Sequence, residues 1–395
     1  MELTKEEKLA YQGSIIWQIL EAPFEKAIEI YSANFEDVQE YSFIFPHPEG
    51  DNFVQKFREL NLDNLDVIHF FGSETLYCLN SRSFISIMLC EDYELKIASL
   101  VSLDTQIQSY LYRNYIDNKN KIPNNITEIQ KIINSRRCMV DGFAYMFENS
   151  LFNPDYLKSQ IYKDNAFAFE TYFFKNKNDA ESYYKDVLEL DNNILNDEFS
   201  NWYRHQYLLY YLELLVMTEI NVNHKNQSLY QKELTFVKFF HEQIGILSDR
   251  EINLAKLFFI HGTKIKFFGK IQKGRKDIIS NLKNMAWDIF HLQNTFNNLS
   301  IISDELDFII PFFITYDQRL KDIAPIYKLK SAAFIKNWHP KILNFLTDLI
   351  DPIIKQEYFT AQAYLKRQEQ LKGATEESII TKLQSEIEKY EKLLC

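Results

Sequence analysis

Two apolar runs, each closed by an aspartate, constrain this chain more than any other feature. Ile97-Ala-Ser-Leu-Val-Ser-Leu-Asp104 is nearly continuous, and Leu306-Asp-Phe-Ile-Ile-Pro-Phe-Phe-Ile-Thr-Tyr-Asp317 is a second such segment. A half-solvated strand alternates apolar and polar residues, whereas a continuous run suits a parallel strand buried on both faces. Between the two, from Asn124 to about Asp304, the signals are mostly helical. Tyr207 to Met217 is apolar nearly all round, which predicts a buried helix, and Ile278 to Phe296 is another strong helix. Strands at both ends of a helical stretch predict an α/β fold. Pro311 cannot donate to a ladder, so the second run is expected at a sheet edge or starting after the proline.

The rest of the chain divides around these runs. Residues 1–95 mix short apolar segments with turn signals and read as a small α/β extension, or as strands added to the next sheet. Phe43 to Gly50 reads as a strand ending in a turn, and Leu65 to Phe71 and Phe84 to Leu89 as strands. Residues 346–395 form a helical tail in which Ile379, Leu383, Ile387, Tyr390 and Leu394 recur at helical spacing after Gly373. That stripe suits a helix docked on its own domain, or a short oligomerising coil that pairs copies or binds a regulatory protein.

Composition narrows the function. Only nine glycines occur in 395 residues, so a scaffold of glycine-rich phosphate loops is disfavoured. The near P-loop Gly269-Lys-Ile-Gln-Lys-Gly-Arg-Lys276 has Arg275 and Lys276 where Lys and Ser/Thr belong, and no apolar strand precedes it. The net charge of −11 excludes a general cationic nucleic-acid coat, but a local basic patch beside catalytic carboxylates remains compatible with it. Cys78, Cys90, Cys138 and Cys395 are too scattered for a zinc site or a disulfide framework. The charged opening Met1 to Lys8 lacks an apolar signal core, and no run is long enough to span a membrane, so the expectation is a cytoplasmic protein with no membrane partner. Neither Arg250 with His261 nor Arg204 with His205 has the Arg–His spacing of helical HEPN ribonucleases, and no Gly-x-Ser-x-Gly elbow occurs.

The two terminal aspartates are the candidates for chemistry. Sites in open parallel sheets form outside the carboxyl ends of the strands. Carboxylates converging there repel unless a cation lies between them. The plain alternative is that each caps a following helix.

Longer strings around them resemble those of PIN-domain nucleases. Leu100-Val-Ser-Leu-Asp-Thr-Gln-Ile resembles the opening strand of that family, and Phe312-Phe-Ile-Thr-Tyr-Asp-Gln-Arg its late strand. Asn284-Met-Ala-Trp-Asp-Ile-Phe-His-Leu292 resembles the helix that carries a third Asp, and Ala144-Tyr-Met-Phe-Glu-Asn-Ser-Leu151 supplies an early Glu. Gln106 departs from the Asn the family prefers, and the span between Glu148 and Asp288 requires a helical insertion at about 151–276.

The resemblance implies a PIN-like parallel sheet flanked by helices over 96–345, enlarged by that insertion and followed by the C-terminal helix. It implies a metal-dependent endoribonuclease, similar to bacterial defence or stress effectors, acting on single-stranded or structured RNA. Asp104, Glu148, Asp288 and Asp317 would be its catalytic ring, with Asp104, Asp288 and Asp317 as ligands to Mg²⁺ or Mn²⁺. Thr105 and Thr315 would bond carboxylates or phosphate, and Glu170 and Glu213 are rivals of Glu148. Lys264, Lys266, Lys270, Lys273, Arg275 and Lys276, with Arg136 and Arg137, are the candidate phosphate track. The competing reading is a non-catalytic helical scaffold or partner-binding protein that retains the sheet.

Overall fold

In the computed structural model the first apolar run becomes an inner strand, with a parallel neighbour on each side. Described are residues 5–53, 55, 64–91, 94–117, 122–135, 138–173, 198–271, 276–299, 306–335 and 341–395. The chain opens with α1 (Lys5–Glu21), α2 (Phe24–Ala33) and the single turn α3 (Phe35–Val38). Then come β1 (Tyr41–Asn52), β2 (Asp66–His69), β3 (Thr75–Leu79) and α4 (Ser81–Leu89). The first run is β4 (Ile97–Leu103), followed by α5 (Thr105–Asp117), α6 (Asn124–Ser135), β5 (Cys138–Asp141), α7 (Phe143–Ser150) and α8 (Gln160–Phe173). Next stand α9 (Glu198–Asn223), α10 (Leu229–Lys238), α11 (Asp249–His261) and α12 (Ile278–Asn297). The second run is β6 (Phe308–Thr315), and β7 (Leu329–Ile335), β8 (Ile342–Phe345), α13 (Pro352–Tyr358), α14 (Ala361–Leu371) and α15 (Glu376–Leu394) complete the chain.

The fold is α/β, and the described residues form two four-stranded sheets, ordered β2-β6-β4-β5 and β3-β1-β7-β8. In the first, β4 runs parallel to both β5 and β6, while β2 is antiparallel to β6. The sheet expected to be parallel is therefore mixed. The second sheet is antiparallel throughout. Strands from residues 1–95 enter both sheets, β2 beside β6 and β1 beside β7.

Several local readings need correction. β6 lies inside its sheet, not at an edge. Pro311 pairs with Leu100 of β4 but stands one residue beyond the stretch paired with β2, where among the described residues β6 has β4 alone as ladder partner. Phe84 to Leu89 is helical, not a strand. Asn80 accepts from the Ser83 backbone N–H and Ser83 reciprocates to the Asn80 N–H, a capping box that starts α4. β1 does not end in the turn at Gly50; it continues to Asn52 past an irregularity between Pro46 and Asp51. β5 falls within a stretch read as helical, because four residues are too few to show a period.

Elsewhere the pattern and the packing agree. α9 is buried nearly all round from Tyr207 to Met217, and the described part of 151–276 holds helices and helical turns but no strand. α15 lays Leu383 and Ile387 into the main core, and its Glu391 accepts from the Tyr211 hydroxyl of α9 at 2.6 Å. Its stripe is thus covered within the chain, and a coil between copies is not needed to bury it. Among the described residues no helix is long and apolar enough to cross a membrane.

Candidate active site

The chain leaves β4 for β5 on one side and returns to β6 on the other. Connections that diverge in this way open a crevice between the carboxyl ends of β4 and β6. Asp104 follows β4 and Asp317 stands two residues past β6. Their backbones are locked together: the Asp104 N–H donates to the Ile314 carbonyl at 3.0 Å. The Thr315 hydroxyl, fully buried, donates to Asp104 Oδ2 at 2.5 Å and accepts the Asp317 N–H at 2.8 Å. One side chain therefore positions an acid from each strand.

Two helices complete the arrangement. On α5 the apolar face Ile107 and Leu111 is buried, which turns Thr105 toward the crevice, where its hydroxyl donates to Glu148 Oε2 of α7 at 2.6 Å. On α12 the stripe Leu282, Met285, Ile289 and Leu292 faces the core and leaves Asp288 and His291, three residues apart, at its border. Asp104, Glu148, Asp288 and Asp317 all line a single cleft of about 340 Å³ with His291. The structure thus brings the four sequence-predicted acids together.

Their electrostatics divide them into two pairs. Burial would raise Glu148, but His291 and the Thr105 hydroxyl outweigh it and hold its carboxyl below the usual range. The His291 Nε2 to Glu148 Oε2 separation is 3.8 Å, an ion-pair distance too long for a hydrogen bond. Burial likewise opposes Asp317, yet its carboxyl is lowered because Arg319 grips it through Nε at 2.7 Å, through a second guanidinium nitrogen and through its backbone N–H. Asp288 is pushed well above the usual range by burial, then by the negative charges of Asp317 and Asp104. Asp104 is raised by burial against the opposing Thr315 hydrogen bond and His291. Asp104 and Asp288 are the pair held above the usual range, Asp104 even though it accepts from Thr315.

This donor set suits a hard divalent cation in kind, since Mg²⁺ and Mn²⁺ take carboxylate oxygens. It is not a ready-made cage. Among the described residues no group of three His, Cys, Asp or Glu side chains is arranged to hold an ion. Arg319 holds Asp317 and Thr105 holds Glu148. His291 adds a further mark of a binding site: it is only 5% exposed, and its Nε2 has no hydrogen-bond partner.

The basic track does not fall where it was expected. Lys273, Arg275, Arg136 and Arg137 lie outside the described residues. Lys264, Lys266, Lys270 and Lys276 do not line the cleft. Lys266 uses its backbone N–H on Asp322 at 2.8 Å, and Lys270 reaches the site only as a positive charge that helps lower Asp317. Among the described residues the cation lining the cleft is Arg113 of α5, which shares that lining with Tyr110 and Trp287. Glu170 and Glu213, the rivals of Glu148, are buried outside the cleft.

Sequence reasoning also missed Asp141, which ends β5 beside Ser102 of β4. Ser102 donates to its Oδ2 at 2.6 Å and the Phe143 N–H to its Oδ1 at 3.2 Å, which ties β5 to β4 and to the start of α7, and Asp141 does not line the cleft. Burial pushes it up to about 6. The signal was present, since Cys138-Met-Val-Asp141 is another apolar run ending in Asp. No protein-family model, curated protein or solved structure matches this chain.

Proposed function

We propose that the cleft is the active site of a metal-dependent endoribonuclease that hydrolyses phosphodiester bonds of RNA through Asp104, Glu148, Asp288 and Asp317. The observation that carries this reading is the convergence of the acids: Asp104 and Asp288 line one cleft with two further carboxylates, at the crevice between β4 and β6. Carboxylates gathered in a cleft suit a cation or a reaction that uses them. The order of the acids along strand, helix, helix and strand is similar to that of PIN-domain nucleases, and the parallel strands β5, β4 and β6 support an enlarged PIN-like core.

Asp104 and Asp288 would hold Mg²⁺ or Mn²⁺, with Asp317 joining when it leaves Arg319. When bound, the ion would supply charge stabilisation at phosphorus and ease deprotonation of water. The protein's own groups have distinct parts. Thr315 fixes Asp104 against the Asp317 backbone. Glu148, kept ionised by Thr105 and His291, is suited to orient a water or take its proton. His291 Nε2 faces Glu148 at 3.8 Å and supports it electrostatically. The full chain, incubated with a labelled single-stranded RNA, should cleave it with Mn²⁺ and not with EDTA. Asp104→Asn should lower the rate by at least about a hundredfold, with an unchanged circular dichroism spectrum. Equal cleavage by the folded variant would place the chemistry elsewhere.

The scaffold reading draws on the Arg319–Asp317 pair, which replaces a metal contact with an internal ion pair. It makes the opposite prediction in the same assay, with no Mn²⁺-dependent cleavage by the wild-type chain.

A further inference from the structure

The cleft extends away from the acids along one face of α5. Ile107, Gln108 and Leu111 of that helix are buried against the core, while Gln106, Ser109, Tyr110 and Arg113 line the cleft. Ser109 spends its hydroxyl on the Thr105 carbonyl at 3.0 Å, so it does not compete for a ligand. Tyr110 packs edge-to-face on Tyr316, with ring centroids 5.5 Å apart, which ties the helix face to the end of β6. Across the cleft, Trp287 of α12 lies against His291 at 5.7 Å and Tyr207 at 4.1 Å, a rigid aromatic wall.

Arg113 is the unexpected member. Four carboxylates share its cleft, yet it forms no hydrogen bond or ion pair with any of them among the described residues. An unpaired guanidinium at the rim of an acidic cleft presents its donors to an incoming anion, and its planar fork suits phosphate. Eight residues of helix separate Thr105 from Arg113, a backbone rise of about 12 Å at 1.5 Å per residue. A stacked strand rises about 3.4 Å per nucleotide. A strand with several phosphates can therefore follow this helix face from the acids to Arg113.

We propose that the Tyr110–Arg113 face of α5 is a subsite for a single-stranded oligonucleotide, with a phosphate on Arg113 and a base against Tyr110, flanking the phosphodiester at the acids. The inference rests on the nuclease reading of the cleft and adds to it the path of the substrate. It also places the phosphate track on α5, since Lys264, Lys266, Lys270 and Lys276 do not line the cleft. The strand is recognised by charge and by stacking, which is tolerant of sequence.

The test is fluorescence anisotropy of labelled hexa- and diribonucleotides with the full chain in Ca²⁺, a carboxylate-binding ion that relieves the repulsion between the acids and phosphate, at several salt concentrations, for wild type, Arg113→Gln, Tyr110→Leu and Lys264→Gln. Arg113 is exposed, so its replacement leaves the core intact. Arg113→Gln should flatten the salt dependence for the hexamer by about 0.7 in log–log slope, one lost phosphate contact. Tyr110→Leu should weaken the hexamer roughly tenfold. Affinity for the dimer should not change in either variant, and Lys264→Gln should behave as wild type. Parallel salt lines for Arg113→Gln and wild type, equal losses for dimer and hexamer, or no hexamer binding by wild type would each overturn the subsite. Failure of the nuclease reading looks different: Mn²⁺ would produce no cleavage while hexamer binding still depended on Arg113.

Discussion

Asp288 is the residue on which the chemistry of the cleft bears most directly, and its cost should be measurable without any substrate. In the folded chain its carboxyl titrates well above the usual range, through burial and the charges of Asp317 and Asp104. Between the ordinary value near 4 and that raised value, the folded state holds a proton the unfolded state has lost. Stability therefore falls as pH rises through this window, and the full penalty is present above it. Asp288→Asn removes the charge and keeps the shape. In metal-free buffer it should be more stable than wild type at pH 8, by on the order of 1 kcal/mol. The gap should close as pH falls toward about 4. Chemical denaturation of both proteins across that range checks the sign. A variant less stable than wild type at every pH would mean that Asp288 is a satisfied structural acid.

At the scale of elements, the site depends on helices that carry it only indirectly. α12 holds Asp288 and His291, and it packs on α9, which α15 covers from the outside. Leu383 of α15 is fully buried, and Lys283 of α12 pairs with Glu391 of α15 at 3.2 Å. Leu383→Ala should cost about 2–4 kcal/mol in urea denaturation. A loss under about 0.5 kcal/mol, the range of surface substitutions, would show that the helix is peripheral. This docking was legible in the sequence, because a stripe at helical spacing demands a partner surface. β4, β6 and α12 were legible for the same reason, being long and strongly patterned. What escaped was set by contacts distant in sequence or by short signals. The antiparallel addition of β2 joins Asp66 to Thr315, and no local pattern encodes that register. The capping box of α4 overrode an apolar run that reads as a strand. Arg113 became visible only once the cleft had a position, since nothing in its own neighbourhood marks it as different from an exposed helix arginine.

For the whole molecule, the arrangement concentrates charge in one place on a chain that is acidic overall. Two sheets and a helical mass hold four carboxylates from four elements around a single cleft, with Arg113 at its rim and Arg319 gripping one acid. The sequence rule that sites form at the carboxyl ends of parallel strands found Asp104 and Asp317, and the resemblance to PIN-domain nucleases found Asp288 and Glu148. Neither contains the Arg319 clamp, which arises from a turn after β6 and leaves the site short of a preformed ion cage. The central claim is that this cleft takes a divalent cation despite the clamp. A ligand that binds only the folded state raises its stability by RT ln(1 + [L]/Kd), about 2.7 kcal/mol at a hundredfold excess over Kd. The most direct measurement is thermal unfolding of the full chain against Mn²⁺ concentration, for wild type and for Asp104→Asn combined with Asp288→Asn. The account predicts a saturable rise in Tm for wild type that the double variant lacks. Equal shifts in the two proteins, or none in wild type, would contradict it.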